Sequence, residues 1–473
     1  SYVSIPNKPY TPIIKDLALD YTAFADKDEI ELIHIYPFEN TFKEEAWEKK
    51  IKQNGTEITQ KATLLPVFED EGTLFIGLEN FEPGHNLNLL FHLAEATADT
   101  ELNKAELKWH YLRKNEWIPL RNGFEILEDN TRELSRSGII KFSIPLDIST
   151  GPEVTQLAPE YHWIKVSAEK NTKTISETIK VYTQAAKSTY KKKPENVRNG
   201  MQVPAESIAS LAVADPNIKK VTQVYPSFNG VQEEAANRFY TRVSETLRHK
   251  GRALSLFDYE RLVLDYFPQV NVAKCINHSF GLPANKYRKD LAEAAGFVNL
   301  AVIPDLNQLK VGNLLEPRVP RSLLEDIKTF LKARCVPFVR LKVMNPRYEK
   351  VKVTVEIVLQ KENASNSEYY ESQMKTDIRR FLSPWMDQKF DALRFGQNLR
   401  KSDLIRFIEN TPYVDYITKV SFEHENLWND NCTQQITNVN NEILSPQTAR
   451  SILNAGTIEV KIKDRKPANQ PQL

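Results

Sequence analysis

Cysteine and glycine are scarce in this chain, and each scarcity excludes a class of site. The 473 residues include three cysteines, Cys275, Cys335 and Cys432, which lie far apart and form no CxxC pair. An odd number of isolated cysteines indicates neither a zinc ribbon nor a disulfide framework. Glycine occurs 15 times, about half of its usual share of roughly 7%. No GxGxxG or P-loop motif is present, so a nucleotide site has no support.

Long apolar runs and an excess of one charge are missing too. No stretch approaches the ~18 apolar residues of a membrane-spanning helix, and no signal-peptide pattern opens the sequence. Lysine and arginine number 63 against 62 aspartates and glutamates, which gives a net charge of +1. This balance argues against a partner held by a general positive field, such as nucleic acid. We therefore expect no membrane span and no nucleic-acid partner.

The short motifs of common catalytic centres are also absent. There is no GxSxG nucleophile elbow. His424 and Glu425 begin an HExxH frame, but Trp428 stands where the second histidine would be. The acidic run at 69–71 has the pattern of a solvated turn. We expect no catalytic residue, no metal ligand and no cofactor, so the chain is predicted not to be an enzyme.

The first part of the chain shows the alternation of an all-β region. Short candidate strands are separated by turn-rich connections, as in a β-sandwich. These strands are Glu29–Ile35, Thr73–Leu78, Asn86–Leu93, Leu107–Leu112, Gly138–Ile144 and Trp163–Val166. The charged segment Lys43–Lys61 is interpreted as a helical excursion between strands. We predict a β-sandwich-like domain over residues 1–170.

Three tryptophans in this region leave two alternatives open. If Trp109, Trp117 and Trp163 were exposed, they would form a platform on which sugars stack. If they are buried, they belong to the core of the sandwich, and this is the preferred interpretation because large aromatic side chains dominate cores.

The rest of the chain changes its pattern twice. Residues 171–235 form a transitional segment, in which Thr174–Ala186 fits either a strand or a short helix. Helices and strands then alternate in two α+β modules, predicted at 236–345 and 346–456 and ferredoxin-like in kind. Residues 457–473 are predicted to be a last strand and a disordered tail. The predicted fold class is therefore α+β and multidomain, with an all-β sandwich-like region first.

The stretch from Asn237 to Cys275 is the most informative of the sequence. Its first amphipathic helix carries an apolar stripe of Tyr240, Val243 and Leu247, which we assign to the core. The opposite face is basic and rich in hydrogen-bonding groups. We predict that it meets a neighbouring subunit through Arg238, Arg242, His249 and Arg252. Arginine suits such a contact because its planar fork pairs with carboxylates and stacks on aromatic rings. The alternative is that these arginines cap local carbonyl groups or stay solvated.

A second amphipathic helix follows at once. Gly251 ends the first helix, and Ser255 with Asp258 forms a capping arrangement for the second. The stripe of the second helix is filled by Tyr259, Leu262, Val263 and Tyr266. Pro268 ends this helix, and a strand follows.

This stretch and several later motifs resemble the sequences of the baseplate J family. Its members are the wedge proteins of contractile phage tails and of extracellular and type VI injection systems. The resemblance covers roughly residues 219–422, and its motifs occur in the order of the family. They are RVSETLRHKGRALSLFDYERLVLDYFPQV, VIPDL, NPRYEKVKVTVEIVL, RRFLSPW, RFGQNLRKSDL and IENTPYVDYI. The resemblance implies a structural wedge subunit that surrounds a central spike or hub and connects to the sheath.

The resemblance also implies partners and a location. The expected partners are copies of the same chain or a paralogous J-type wedge protein, a second wedge protein, the spike or hub, and the sheath initiator. Such a subunit is made in the bacterial cytoplasm and joins a contractile particle, with the extracellular type preferred. A glycan- or fibre-binding tail module and a tail-associated cell-wall hydrolase remain the alternative functions.

Overall fold

The protein is described here by a computed structural model. The described residues are 5–16, 18–23, 32–35, 42–45, 48–53, 56–61, 67–114, 116–150, 157–190, 203–228, 234–281, 293–306, 313–387, 395–425 and 442–464, with the single residues 3, 63, 65, 230 and 290. Two compact units are present. Unit one comprises 1–83, 109–119 and 146–167, and unit two comprises 84–108, 120–145 and 168–473.

Four short strands in unit one pair as two antiparallel ladders. They are β1 (Leu32–Ile35), β2 (Phe42–Glu45), β3 (Glu48–Gln53) and β4 (Thr56–Lys61). The predicted helical excursion over Lys43–Lys61 is therefore wrong. Ile51 and Ile58 are paired across the two strands. Two apolar residues of this charged segment therefore stand in register in a hairpin ladder. An Asn-Gly pair separates β3 from β4 in the sequence, which is the strongest short signal for a hairpin.

Eight further strands form two four-stranded sheets, one in each unit. The strands are β5 (Gly72–Leu78), β6 (Asn86–Ala94), β7 (Leu107–Arg113), β8 (Glu116–Pro119), β9 (Ile126–Asp129), β10 (Gly138–Ser143), β11 (His162–Ala168) and β12 (Glu177–Thr183). Unit one has the order β5-β11-β7-β8, and unit two has β12-β6-β10-β9. The predicted all-β character of this region is confirmed, and Thr174–Ala186 contains a strand, β12.

The tryptophans of the unit-one sheet pack within the unit. Trp109 is buried, whereas Trp117 and Trp163 are half-buried. The Trp117 ring lies 5.5 Å from the ring of Phe75, and the Lys165 ammonium group lies 5.2 Å above it. Trp163 donates a 3.0 Å hydrogen bond from Nε1 to a backbone carbonyl. The burial of Trp109 agrees with the core interpretation, and the other two rings have partners within the unit.

The first α+β module lies in unit two and is built around a mixed sheet of order β13-β14-β15. Its elements are α1 (Ala236–His249), α2 (Leu256–Tyr266), β13 (Val270–Asn277), β14 (Phe297–Pro304), α3 (Arg321–Lys332) and β15 (Arg340–Met344). β13 pairs antiparallel with β14, and β14 pairs parallel with β15. The core of the module joins Leu262 and Val263 of α2 to Ile327 and Leu331 of α3.

The second module repeats this plan with longer strands. Its elements are β16 (Arg347–Leu359), α4 (Ser367–Leu382), β17 (Leu399–Arg400), α5 (Lys401–Glu409), β18 (Val414–His424), β19 (Ile443–Leu444) and β20 (Ser451–Ile462). The sheet order is β18-β16-β20, and α4 and α5 bury Met374, Ile378, Leu404 and Ile408 against it. The α+β multidomain class is confirmed. The ferredoxin-like arrangement and the predicted domain boundaries stay predictions.

A buried arginine joins three parts of unit two. Arg450 is 1% exposed and bonds to Glu101 (2.9 Å), Asp290 (2.6 Å) and the Asn345 carbonyl (3.1 Å). Burial by itself lowers the pKa of Arg450, but the bonds to the two carboxylates outweigh it and hold that pKa above its usual value. The connection after β6 is thereby fastened to both α+β modules.

Candidate subunit interface

Helix α1 is held at its C-terminal end but has no side-chain cap at its start. Its N-cap, Ala235, is extended and supplies no capping oxygen. At the other end Lys250 adopts φ 51° and donates to the Thr246 carbonyl at 2.8 Å. Gly251 follows with φ 70°, in the left-handed region that favours glycine. The predicted end of the helix at this glycine is confirmed.

The face of α1 that meets α2 is polar. Glu245 pairs with Arg261 of α2 at 3.3 Å. The Arg248 and Arg261 guanidinium groups lie 4.2 and 5.1 Å from the ring of Phe257. Burial raises the pKa of Asp265, and the nearby charge of Glu245 adds to the effect. Charge pairing and cation–π contacts therefore hold α1 to its module.

The apolar stripe of α1 faces away from the module. Tyr240 is 71% exposed and Leu247 is 70% exposed, while Val243 is half-buried. The prediction that these three residues form core is therefore wrong for Tyr240 and Leu247. The periodicity of a helix shows that its two faces differ, but it does not show which face turns inward. Here the inward side is fixed by ionic partners on α2.

Three of the four predicted interface residues lie at the surface. Arg238 and Arg252 are exposed. Arg242 binds Glu234 through both carboxylate oxygens, with Nε–Oε1 at 2.9 Å and Nη2–Oε2 at 2.8 Å. The hydrogen bond from Arg242 holds the pKa of Glu234 below its usual value. Arg242 therefore already has a partner within the chain, whereas Arg238 and Arg252 are exposed to solvent.

His249 departs from the predicted face. Its side chain is 5% exposed, and its Nδ1 accepts a 3.0 Å hydrogen bond from the Gly251 N–H. This ring turns back over the end of α1, because the left-handed turn at Lys250 and Gly251 brings the following backbone beneath it. The prediction that His249 reaches a neighbouring subunit is corrected accordingly. Of the four predicted interface residues, only the three arginines lie at the surface.

Helix α2 follows the sequence prediction at its start. Ser255 and Asp258 form a capping box, with the Asp258 carboxylate accepting from the Ser255 N–H at 2.8 Å. Burial by itself raises the pKa of Asp258, but bonds from the Ser255 and Leu254 N–H groups outweigh it and lower that pKa. In the predicted stripe, the buried residues are Tyr259, Leu262 and Val263. Tyr266 is exposed, which corrects its assignment to the core.

Tyr266 belongs to an aromatic patch that sequence reasoning missed. Its ring lies 4.5 Å from Phe330 of α3. The Arg334 guanidinium group lies 3.7 Å from the Phe330 ring and 5.5 Å from the Tyr266 ring. Aromatic and arginine side chains are the residues that protein interfaces favour. Tyr266 lies at the end of α2 and Phe330 in α3, far apart in the sequence, so no local pattern could have signalled their contact.

The described residues give little support to other kinds of site. Among them, no group of three or more histidine, cysteine, aspartate or glutamate side chains is arranged to hold a metal ion. In the same part of the chain, no helix is long and apolar enough to cross a membrane. The acidic run at 69–71 lies at the surface, with Asp70 half-buried.

A match to one family model shows which class of protein this chain belongs to. The family model described as "Baseplate protein PVC11-like" matches residues 2–446, so the chain belongs to this family of baseplate proteins. The sequence resemblance to baseplate proteins is thereby confirmed, and the matched region includes the β-rich first part of the chain.

Among solved structures, 19 chains are similar to this one. One comes from the cryo-EM structure of the anti-feeding prophage (AFP) baseplate, 6-fold symmetrised. It shares 13% sequence identity, covers 83% of this chain and 78% of its own, and has a TM-score of 0.37. No curated protein matches the chain.

Proposed function

We propose that this baseplate protein is a structural, non-enzymatic wedge subunit of a contractile injection system, and that α1 binds a neighbouring subunit. The observation that carries the proposal is the outward apolar stripe of Tyr240 and Leu247. Burying one such side chain is worth about 1.5–3 kcal/mol. A partner that covers both side chains would stabilise the complex by roughly twice that amount. The isolated chain lacks this contribution because both side chains are exposed.

The surroundings of the stripe favour a protein partner. Arg238 and Arg252 stand near its two ends and are exposed. The aromatic patch of Tyr266 and Phe330, with Arg334 over both rings, lies at the ends of α2 and α3. Tyrosine and arginine are the residues most often found at energetic hot spots of interfaces. The proposed partners are another copy of the chain or a paralogous wedge protein, a second wedge protein, the spike or hub, and the sheath initiator.

A matched pair of leucine substitutions tests the proposal. Leu247 in α1 and Leu146 in unit one are both exposed, at 70% and 81%. Leu247→Glu should leave thermal unfolding of the purified chain unchanged, because exposed substitutions usually cost within ~0.5 kcal/mol. In cells that make the particle, this variant should yield no complete baseplates by electron microscopy, whereas Leu146→Glu should yield normal ones. Normal baseplates with Leu247→Glu would refute the role of α1.

A further inference from the structure

A proline-spaced segment in unit one presents apolar side chains that are exposed in the described part of the chain. Every described residue of this segment, 5–16 and 18–23, is exposed. Six large apolar side chains are 75–91% exposed; they are Ile5, Tyr10, Ile13, Ile14, Leu19 and Tyr21. The described residues of the segment belong to no helix or strand, and no hydrogen bond or ring contact ties them to the rest of the described chain.

The prolines of the segment recur at a fixed interval. Pro6, Pro9 and Pro12 are three residues apart. A polyproline II helix has three residues per turn, so these prolines line one edge of such a helix. Each proline ring also fixes φ near the polyproline II value. From Pro6 to Ile14 such a helix would extend about 25 Å at 3.1 Å per residue. The sequence therefore favours an extended conformation. In this conformation the backbone makes no internal hydrogen bonds and is solvated.

We infer that this segment docks as a polyproline II strand into an aromatic-lined groove on a different baseplate protein. Proline-rich strands of this spacing are bound by grooves of aromatic rings, and their low conformational entropy favours binding. Lys8 stands between two of the prolines, so the groove should carry a carboxylate beside the rings. The segment also lies inside the region matched by the baseplate family, which starts at residue 2.

A second copy of this chain is a poorer host for the segment. Its tyrosine cluster, Tyr369, Tyr370 and Tyr413, has ring centroids 5.2 and 5.0 Å apart. However, Tyr413 is buried and its hydroxyl bonds to Asp377 at 2.7 Å, while the Tyr370 hydroxyl bonds to another side chain of the same module. Two rings of this cluster are therefore held by contacts within their own module. The exposed ring of Tyr266 and the half-buried ring of Phe330 lie under the Arg334 guanidinium group, whose charge repels Lys8, so the inference commits to a different protein.

Competition for places in the particle tests the role of the prolines. The triple variant Pro6→Ser, Pro9→Ser, Pro12→Ser keeps the length and the apolar side chains of the segment. When co-expressed with tagged wild type, it should be depleted about tenfold in purified particles, because the unbound segment loses its preorganisation. Thermal unfolding should not change. The matched control replaces the exposed Pro204 and Pro216, which lack the three-residue spacing, and should enter particles as wild type does. Equal incorporation of the triple variant would overturn the inference.

Photo-cross-linking identifies the host. With p-benzoylphenylalanine in place of Tyr10, irradiation of assembled particles should link this chain to a different baseplate protein. A link only to another copy of the same chain, or no link at all, would contradict the inference. Neither result bears on α1, whose test uses Leu247.

Discussion

Helices α1 and α3 have the same kind of apolar stripe and orient it in opposite directions. In α3, Ile327 and Leu331 are fully buried against the sheet of the first module. In α1, Tyr240 and Leu247 point to solvent. The charged residues account for the difference. Arg321 and Asp326 of α3 reach outward to the connection after β6 and to Arg132. In α1, Glu245 and Arg248 point inward to α2 instead.

The comparison shows that polar contacts decide which side of a helix faces its own domain when a core is already complete. One face of the sheet is covered by α2 and α3, and α1 packs on α2 through Glu245 and Arg248. Exposed apolar patches are typical of surfaces that bind a partner. The baseplate family supplies the setting in which such an assembly exists.

The largest contrast is expected from the same substitution in the two stripes. Ile327→Asp places a charge among fully buried side chains, so it should cost about 4 kcal/mol or more, or prevent folding of unit two. Leu247→Asp should change stability by within ~0.5 kcal/mol. Urea unfolding followed by circular dichroism measures both. Equal losses would show that α1 packs its stripe inward in solution.

Arg450 and Arg242 differ in burial in the same way as the two stripes. Arg450 is buried between Glu101 and Asp290, so Arg450→Met removes the cation that both buried carboxylates bind and should cost about 3–5 kcal/mol. Arg242 is paired with Glu234 at the surface, and Arg242→Met should change stability far less, because an exposed ion pair contributes little. Thermal unfolding of the two variants side by side gives the difference. A similar loss in both would mean that the Arg450 cluster does not hold unit two together.

A smaller effect is expected at the start of α2, which has the cap that α1 lacks. Ser255→Ala removes the hydroxyl that accepts from the Asp258 N–H and should cost about 1 kcal/mol. Ala235→Ser, at the uncapped start of α1, should gain a similar amount if the serine forms the missing bond. Denaturant unfolding measures both changes, and a neutral Ser255→Ala would contradict the observed cap.

Titration of Glu234 gives the smallest and most local signal. Because Arg242 lowers the pKa of this carboxyl, its proton should bind at a lower pH than in an ordinary glutamate. The ion pair therefore contributes above the ordinary pKa and is lost as pH falls through the lowered one. In Arg242→Met the Glu234 pKa should return towards its usual value, as NMR titration would show. An unchanged pKa would mean that the pair is not formed in solution.

The sequence could predict features that depend on neighbours along the chain. The alternating Val351, Val353 and Val355 are all fully buried in β16, because a strand sends successive side chains to opposite faces. The capping box of α2 is similarly local. The sequence could not predict the partners of Arg450, since Glu101 lies 349 residues away. Nor could it orient α1, because that depends on where the charges of α2 stand after folding.

Labelling of a cysteine placed in the α1 stripe tests the central claim most directly. Leu247→Cys should react rapidly with a thiol reagent in the isolated chain, where this side chain is exposed. The natural cysteines give the background, measured on the wild type. In assembled particles the same thiol should react at least about a hundredfold more slowly, because a partner covers it. Slow labelling in the isolated chain would show that the stripe faces inward. Equally fast labelling in the particle would show that no subunit covers it.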